Sequence, residues 1–290
     1  MRLAARGLRF LILAAFAAFF VVPVAWLILA PTKSDEALVT GDPLAFGGFD
    51  RLVLAWQHLD AFSDHLYRLW IGNSLLYAVS ATAIVLVTGI PAGYGLAFGR
   101  FPGRRLVLSL TLVVMIMPAA ALVLPIFLEL NSVHLIGNAL SVILPFAFYP
   151  FGVYLAYIYY ATAVPRELLD AARIDGCGEW STFRHVALPL AKPVVALVLF
   201  FSFVADWNNF FLPYTVLADS KQYPIQVGLS DLLSSTPSFN PAVGGGGQQV
   251  NIFRPELALA TLLAVVPVAF VFVLSQRALV RGLVGGAVKE

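Results

Sequence analysis

Apolar residues fill six long stretches of the chain, at about 9–30, 70–98, 106–128, 137–160, 193–216 and 257–280, and polar residues are gathered between them. Each stretch matches the roughly 20 residues that a helix needs to cross about 30 Å of hydrocarbon. Strands are a poor solution, because a lipid-exposed strand leaves backbone groups unpaired. The runs are also too continuous for the alternation of a membrane barrel. The pattern therefore predicts six transmembrane helices. The first run follows a basic start, Met1 to Arg9, as in a signal peptide. No small-x-small cleavage site closes it and Pro31 follows directly, so the expectation is a retained first helix.

The inter-helical segments are unequal. Residues 31–69 carry Asp35, Glu36, Asp42, Asp50, Asp60 and Asp64 and read as a folded or semi-ordered cap. Residues 217–256 contain the glycine run Gly244 to Gly247, read as a flexible tip. Residues 161–192 are different. Pro165 suits a first helical position and Glu167 sits near the positive end of the helix dipole. Leu168, Leu169, Ala171 and Ala172 favour helix, Arg173 falls in the last turn, and Gly176 can end the helix in a left-handed conformation. A second helix over Ser181 to Ala187 places Trp180, Phe183, Ala187 and Leu190 on one face, and Pro189 and Pro193 limit it. The segment reads as a helix–turn–helix with one small, apolar side and one charged side. By pattern alone it suits either a groove on a partner or an interfacial connector.

Composition agrees with a bilayer as solvent. The 290 residues are 60% hydrophobic and 12% charged, whereas a soluble domain is about one quarter charged. Thirteen of the 18 Lys and Arg residues fall on one side of the six-helix topology: Arg2, Arg6, Arg9, Arg100, Arg104, Arg105, Arg166, Arg173, Arg184, Lys192, Arg277, Arg281 and Lys289. The positive-inside rule puts both termini and residues 161–192 in the cytoplasm. A net charge of +2 without a basic stripe excludes nucleic acid as a partner. The single Cys177 excludes an intrachain disulfide and a cysteine-built zinc site, and the four histidines lack metal-ligand spacing. No Lys-Ser or Lys-Thr follows the glycine run, so the chain has no phosphate loop of its own. No nucleophile–base–acid set is visible, and the expectation is that the chain is not an enzyme and binds no cofactor.

Some polar residues lie at membrane depth. Asp206, Trp207, Asn208 and Asn209 interrupt the fifth stretch, and Asn73 and Ser74 lie in the second. Such groups face protein or water. Asn73, Trp207, Asn208 and Asn209 are candidates to line a pathway; hydrogen bonding between helices is the alternative. Gly89-x-x-x-Gly93 and Gly95-x-x-x-Gly99 are placed to permit close helix contact, and Pro91, Pro118 and Pro125 to kink helices around a cavity.

The polar segment resembles the EAA loop of ABC-transporter permeases. Asp170-Ala171-Ala172, Asp175-Gly176 and Val186-Ala187-Leu188-Pro189 match its successive positions, with Asp170 in place of the usual Glu. The stretches FGVYLAYIYYATAVPRELLDAARIDG (151–176), WNNFFLPYTVL (207–217) and SQRALVRGLVGGAVKE (275–290) resemble the smaller, six-span permease subunit of maltose-type carbohydrate importers. The resemblance implies an all-α polytopic membrane protein with six transmembrane helices and a cytoplasmic helix–turn–helix coupling loop. Its parts are a tail and first helix (1–30), an external loop (31–69) and a five-helix core (70–290). The core contains the coupling loop at 161–192, an external loop at 217–256 and a cytoplasmic tail at 281–290. It further implies a second permease subunit, two copies of an ABC ATPase holding ATP and Mg, and an external solute-binding protein. Glu167, Leu168, Asp170, Ala171, Ala172, Arg173, Asp175, Gly176 and Lys289 become the candidate ATPase-coupling residues, with Leu168, Ala171, Ala172 and Gly176 as the docking face. A polyol, glycerol phosphate, amino acid or polyamine is the alternative cargo. An ion-coupled transporter is the alternative class; it wants paired acids near the midplane, where only Asp206 is a candidate.

Overall fold

The computed structural model describes residues 2–237, 239–240 and 252–285. Among the described residues every regular element is helical. In chain order these are α1 (Arg2–Leu29), α2 (Asp35–Thr40), α3 (Phe49–Ala61), α4 (Leu66–Phe98), α5 (Arg104–Ile116), α6 (Ala119–Ser132), α7 (Leu140–Ala147) and α8 (Pro150–Ala163). The chain continues through α9 (Arg166–Ile174), α10 (Glu179–Thr182), a π-helical turn (Phe183–Ala187) and α11 (Leu188–Leu190). It ends with α12 (Lys192–Trp207), α13 (Phe211–Val216), α14 (Ile225–Ser234) and α15 (Arg254–Gly285). Four helical runs are long and apolar enough to cross a membrane without a sharp bend: 6–32, 66–98, 140–163 and 254–277, the third interrupted at Phe148–Tyr149. Two further spans are bent pairs. The α5–α6 pair turns through 109° and the α10/α11–α12 pair through 79°. The chain is thus a multi-pass membrane protein with up to six spans; the stretch expected at 106–128 is bent at Met117–Pro118, and that expected at 193–216 is interrupted at Asn208–Phe210, the 79° bend lying before it at Ala191.

Contacts divide the chain into two units, Met1–Leu69 with Gly228–Val266, and Trp70–Val227 with Pro267–Glu290. In the first, the acidic segment after α1 is folded. Asp35 accepts hydrogen bonds from the Arg254 backbone N–H at 3.2 Å and its guanidinium at 2.8 Å. His58 Nδ1 lies 2.8 Å from the buried Glu256 carboxylate, whose other oxygen accepts from the Phe253 N–H. Lys33 Nζ donates to the carbonyls of Asp42 and Pro43. From Arg6 to Leu29, no residue of α1 is buried in the chain.

The second unit is organised along α4. Toward its start, one face carries Trp70, Asn73, Ser74 and Tyr77, at the spacing that keeps helical side chains together. These four clamp the segment after α13. Trp70 donates to the Ser220 carbonyl at 2.8 Å, Asn73 to Lys221 and Tyr223 at 2.8 and 3.1 Å, and Tyr77 to Gln222 at 2.9 Å. Ser74 Oγ accepts from the Ile225 N–H at 2.7 Å. Toward its end, α4 packs on α8 so closely that a Cβ on Gly93 would lie 2.4 Å from that of Ala156 and 2.8 Å from the Tyr157 nitrogen. Gly93 is therefore the small residue that the contact requires; at Gly89 the nearest atom would be an ordinary 3.6 Å away. The buried cluster there joins Val85, Ile90 and Tyr94 of α4 to Ala156 and Tyr160 of α8, Val194 and Val198 of α12, and Leu169, Phe183 and Ala187 of the polar segment.

Two outcomes test this packing. Gly93→Leu forces overpacking and should cost about 1–3 kcal/mol or more, read as a lower melting temperature and a lower folded yield in detergent. The Tyr160 hydroxyl is buried with no hydrogen-bond partner among the described residues. A buried unsatisfied polar group costs about 1–3 kcal/mol, so Tyr160→Phe should raise the melting temperature; a fall would contradict the reading.

Candidate functional site

Three interruptions of helical structure converge on one place in the second unit. Met117 and Pro118 separate α5 from α6, Phe148 and Tyr149 separate α7 from α8, and Asn208 to Phe210 separate α12 from α13. Pro118 and Pro150 explain two of them, since proline lacks an N–H and disfavours helix in the residue before it. The third falls at Asn208 and Asn209, whose side chains compete with the backbone for hydrogen bonds. Met117, Phe148, Tyr149, Asn208, Asn209 and Phe210 all line a groove of about 620 Å³, walled also by Met115, Phe146, Phe151 and Phe211.

Two amides stand against these apolar and aromatic walls. Asn208 is exposed and its Nδ2 donates to the Val204 carbonyl at 2.9 Å, which leaves its amide oxygen open. Asn209 Nδ2 is buried and has no partner among the described residues. One turn earlier, Asp206 Oδ2 accepts from Thr82 at 3.3 Å and its Oδ1 has no partner among the described residues. Apolar walls with a few placed polar groups suit an uncharged solute that carries hydroxyls.

The four expected lining residues separate into two pairs. Asn208 and Asn209 line the groove. Asn73 lies at the clamp on residues 221–223, where its amide is committed to two carbonyls. Trp207 is 1% exposed and stacks on Phe203, with ring centres 5.7 Å apart. Hydropathy gave no sign of Met117, Phe148, Tyr149 or Phe210. The signal for the first three is the prolines at 118 and 150, which mark breaks in otherwise apolar runs, while Phe210 follows the Asn208–Asn209 interruption.

The second candidate site is the polar segment itself. Helix α9 starts at Arg166, one residue later than expected, because Pro165 has an extended ψ of 133°. It ends in a Schellman motif: the Cys177 N–H bonds to the Ala172 carbonyl and the Gly176 N–H to that of Arg173. Gly176 has φ +88°, where a side chain is strained. Arg173 then ties the two helices together. It contacts Asp170 at 2.8 Å and Glu179 through two nitrogens, at 2.9 and 3.3 Å. Hydrogen bonding to Glu179 first, and also to Asp170, raises the Arg173 pKa above its ordinary value. Glu167 and Asp175 are exposed and make no ion pair among the described residues.

The faces differ from the pattern's expectation. Leu169 and Ala172 turn into the chain's own core, while Leu168, Ala171 and Gly176 stay exposed. Ala172 is thus occupied by internal packing. In the second helix Phe183 and Ala187 are buried, but Trp180 is 67% and Leu190 41% exposed. Trp180 lies before the π-helical turn at 183–187 and still meets Phe183 with ring centres 5.4 Å apart, so its exposure comes from its place in the first turn of the helix. Ile174, absent from the candidates, is 87% exposed. Lys289 lies outside the described residues. Among the described residues no group of three His, Cys, Asp or Glu is placed to hold a metal ion.

Residues 89–285 match the family described as binding-protein-dependent transport system inner membrane component. The chain is 32% identical to the arabinooligosaccharides transport system permease protein AraQ of Bacillus subtilis (strain 168), over 93% of this chain and 91% of that protein. It is 29% identical to the lactose transport system permease protein LacG of Rhizobium radiobacter, over 94% of this chain and 92% of that one. A bacterial ABC transporter involved in the import of the acidic polysaccharide alginate has a chain of the same fold. The TM-score is 0.78 at 22% identity, covering 93% of this chain and 94% of that one.

The groove makes a labelling prediction. With Cys177 replaced by Ser, single cysteines at Tyr149, Asn208 or Asn209 should react with a charged, water-soluble maleimide in intact membranes. A cysteine at Trp207 should react only after unfolding. Equal labelling at all four positions would contradict the placement of Trp207 away from the groove.

Proposed function

The chain belongs to the family of binding-protein-dependent transport system inner membrane components, and on that premise we propose that it forms half of the pathway of an ATP-driven importer for a sugar or oligosaccharide. Several relatives named for such cargo support the substrate class: arabinooligosaccharides, lactose and diacetylchitobiose. A groove of aromatic and amide side chains also suits a neutral polyhydroxylated solute better than a charged one. In this reading a second permease subunit completes the pathway and an external solute-binding protein delivers the cargo. Two ABC ATPase subunits bind ATP and Mg and power the cycle. Both termini of this chain lie in the cytoplasm, by the distribution of its Lys and Arg residues.

The observation that carries the proposal is the outer face of residues 166–190. It displays Leu168, Ala171, Ile174 and Trp180 around Gly176, on a backbone fixed by the Schellman motif and by the Arg173 contacts. Large apolar side chains on a rigid, otherwise charged element suit insertion into a partner's pocket, and buried aromatic anchors usually dominate such binding. Leu169, Phe183 and Ala187 on the inner face belong to the same buried cluster as α4, α8 and α12. Movement of a docked ATPase would therefore reach the spans through packed side chains, a two-state element biased by a ligand on a partner.

Two outcomes follow for the assembled transporter. Trp180→Ala and Ile174→Asp should each weaken retention of the ATPase on purification, by about tenfold or more for a contact worth 2 kcal/mol. Gly176→Trp should insert normally in the membrane yet separate ATP hydrolysis from sugar uptake in proteoliposomes. Uptake at the parent rate by Gly176→Trp would remove the coupling role.

A further inference from the structure

The end of α4 adjoins two cavities of opposite character. The first, about 580 Å³, is lined by Phe98, Gly99 and Arg100 from the end of α4, by Arg166, Leu169, Asp170 and Arg173 of α9, and by Glu179. Its charges are not equally engaged. Arg173 is held by both carboxylates, Asp170 and Glu179. Arg104 nearby donates to the carbonyls of Ala97 and Gly99 at the end of α4. Arg100 and Arg166 have no carboxylate partner among the described residues; Arg166 lies over the Phe98 ring at 5.7 Å. Two guanidiniums thus face a cavity whose acidic groups are already committed.

The second cavity, about 460 Å³, lies along the same end of α4. Its walls include Gly95 and Leu96 of α4, Phe101 of the turn that follows, Val107 and Leu110 of α5, and Val153 of α8, and it is almost wholly apolar. Gly95 matters here. Unlike Gly93, it meets nothing: a Cβ built there has no atom within 4 Å. The Gly95-x-x-x-Gly99 spacing therefore serves no helix contact at Gly95, and it leaves the apolar groove clear.

A polar, cationic pocket beside an apolar groove, both at the end of a membrane span, has the two chemistries of a phospholipid. We propose that this junction binds an anionic phospholipid, with its phosphate on Arg100 and Arg166 and one acyl chain along the α4–α5–α8 groove. The groove favours a lipid over free phosphate, because an inorganic anion gains nothing from apolar walls. The inference rests on the chain being a membrane protein and not on its cargo. It would place a lipid headgroup directly against α9, so that membrane composition acts on the segment through which the ATPase is proposed to work.

The test uses the full chain in detergent, with dioleoyl phosphatidylglycerol, dioleoyl phosphatidylcholine or inorganic phosphate added. Native mass spectrometry counts retained lipid, and the melting temperature is followed in parallel. Phosphatidylglycerol should be retained about thirtyfold more strongly than phosphatidylcholine, as expected when two arginines each contribute about one kcal/mol. The double variant Arg100→Gln/Arg166→Gln should erase that preference while keeping phosphatidylcholine binding. Gly95→Leu, which fills open space without disturbing a helix contact, should weaken retention of both lipids. Equal retention of the two lipids by the parent chain would overturn the proposal, as would a preference that survives in the double variant. Displacement of phosphatidylglycerol by millimolar inorganic phosphate would identify a free anion as the occupant and also overturn it. Should the double variant fail to fold, the single variants and Gly95→Leu carry the same decision.

Discussion

Hydrocarbon offers no hydrogen-bond partner, so every backbone N–H and C=O at membrane depth must find one in protein or in water. Helices meet the demand until they break. Three of them break here, at Met117–Pro118, Phe148–Tyr149 and Asn208–Phe210, and all three breaks open onto a single groove. That convergence follows from the constraint: irregular backbone is tolerable where it lines a cavity and costly where it meets lipid. The clamp on α4 meets a related need outside the span. Residues from the short turn Ser220–Gln222 to the start of α14 have carbonyls that accept from Trp70, Asn73 and Tyr77 and an N–H that donates to Ser74, so backbone groups of the loop are satisfied by side chains of a span. A polar face on an apolar helix is in this case a structural device for the neighbouring loop.

The other end of α4 is built by shape. Gly93 lets α8 approach within backbone distance, and the cluster assembled on that contact extends outward to Leu169, Phe183 and Ala187. The polar segment is therefore continuous with the core and not an appendage to it. Its inner face is spent on that continuity, and only the outer face remains for a partner. The division is what a lever needs, one surface fixed to the load and another free to be gripped.

Much of this was legible from the pattern of residues. Six apolar stretches read as helices, and Gly176 marks the left-handed stop because glycine enters that region at no steric cost. The acidic segment 31–69, which reads as a folded or semi-ordered cap, is tied down through Asp35, His58 and Lys33. The losses have definite causes. Hydropathy reports the solvent around a stretch and is blind to bends, so the 109° turn shows only through Pro118, whereas the 79° turn falls between Pro189 and Pro193, where the second helix is expected to end. Helical phase places Trp180 beside Phe183, which it meets, but phase alone does not say that the first turn of this helix lies at the surface. A polar residue at depth has two honest destinations, a cavity or a neighbour. Asn73 and Trp207 took neighbours, while Asn208 and Asn209 reached the groove, and nothing local separates the pairs. Ile174 was passed over because the charged run around it concealed a solvent-facing apolar side chain.

The joint between Phe183 and the spans has a mechanical consequence. Tyr94 and Phe183 meet with ring centres 5.1 Å apart, Tyr94 and Tyr160 at 5.5 Å, and the hydroxyls of Tyr160 and Thr182 make no hydrogen bond among the described residues. Contacts of this kind are dispersive and weakly directional, unlike the geometry-bound pairs of Arg173. A small rotation between rings exchanges one set of such contacts for another of similar energy, whereas a latch of hydrogen bonds has to be unmade first. For the coupling movement proposed above, a joint of this kind would slide along the rings without an unlatching step, a bearing and not a lock.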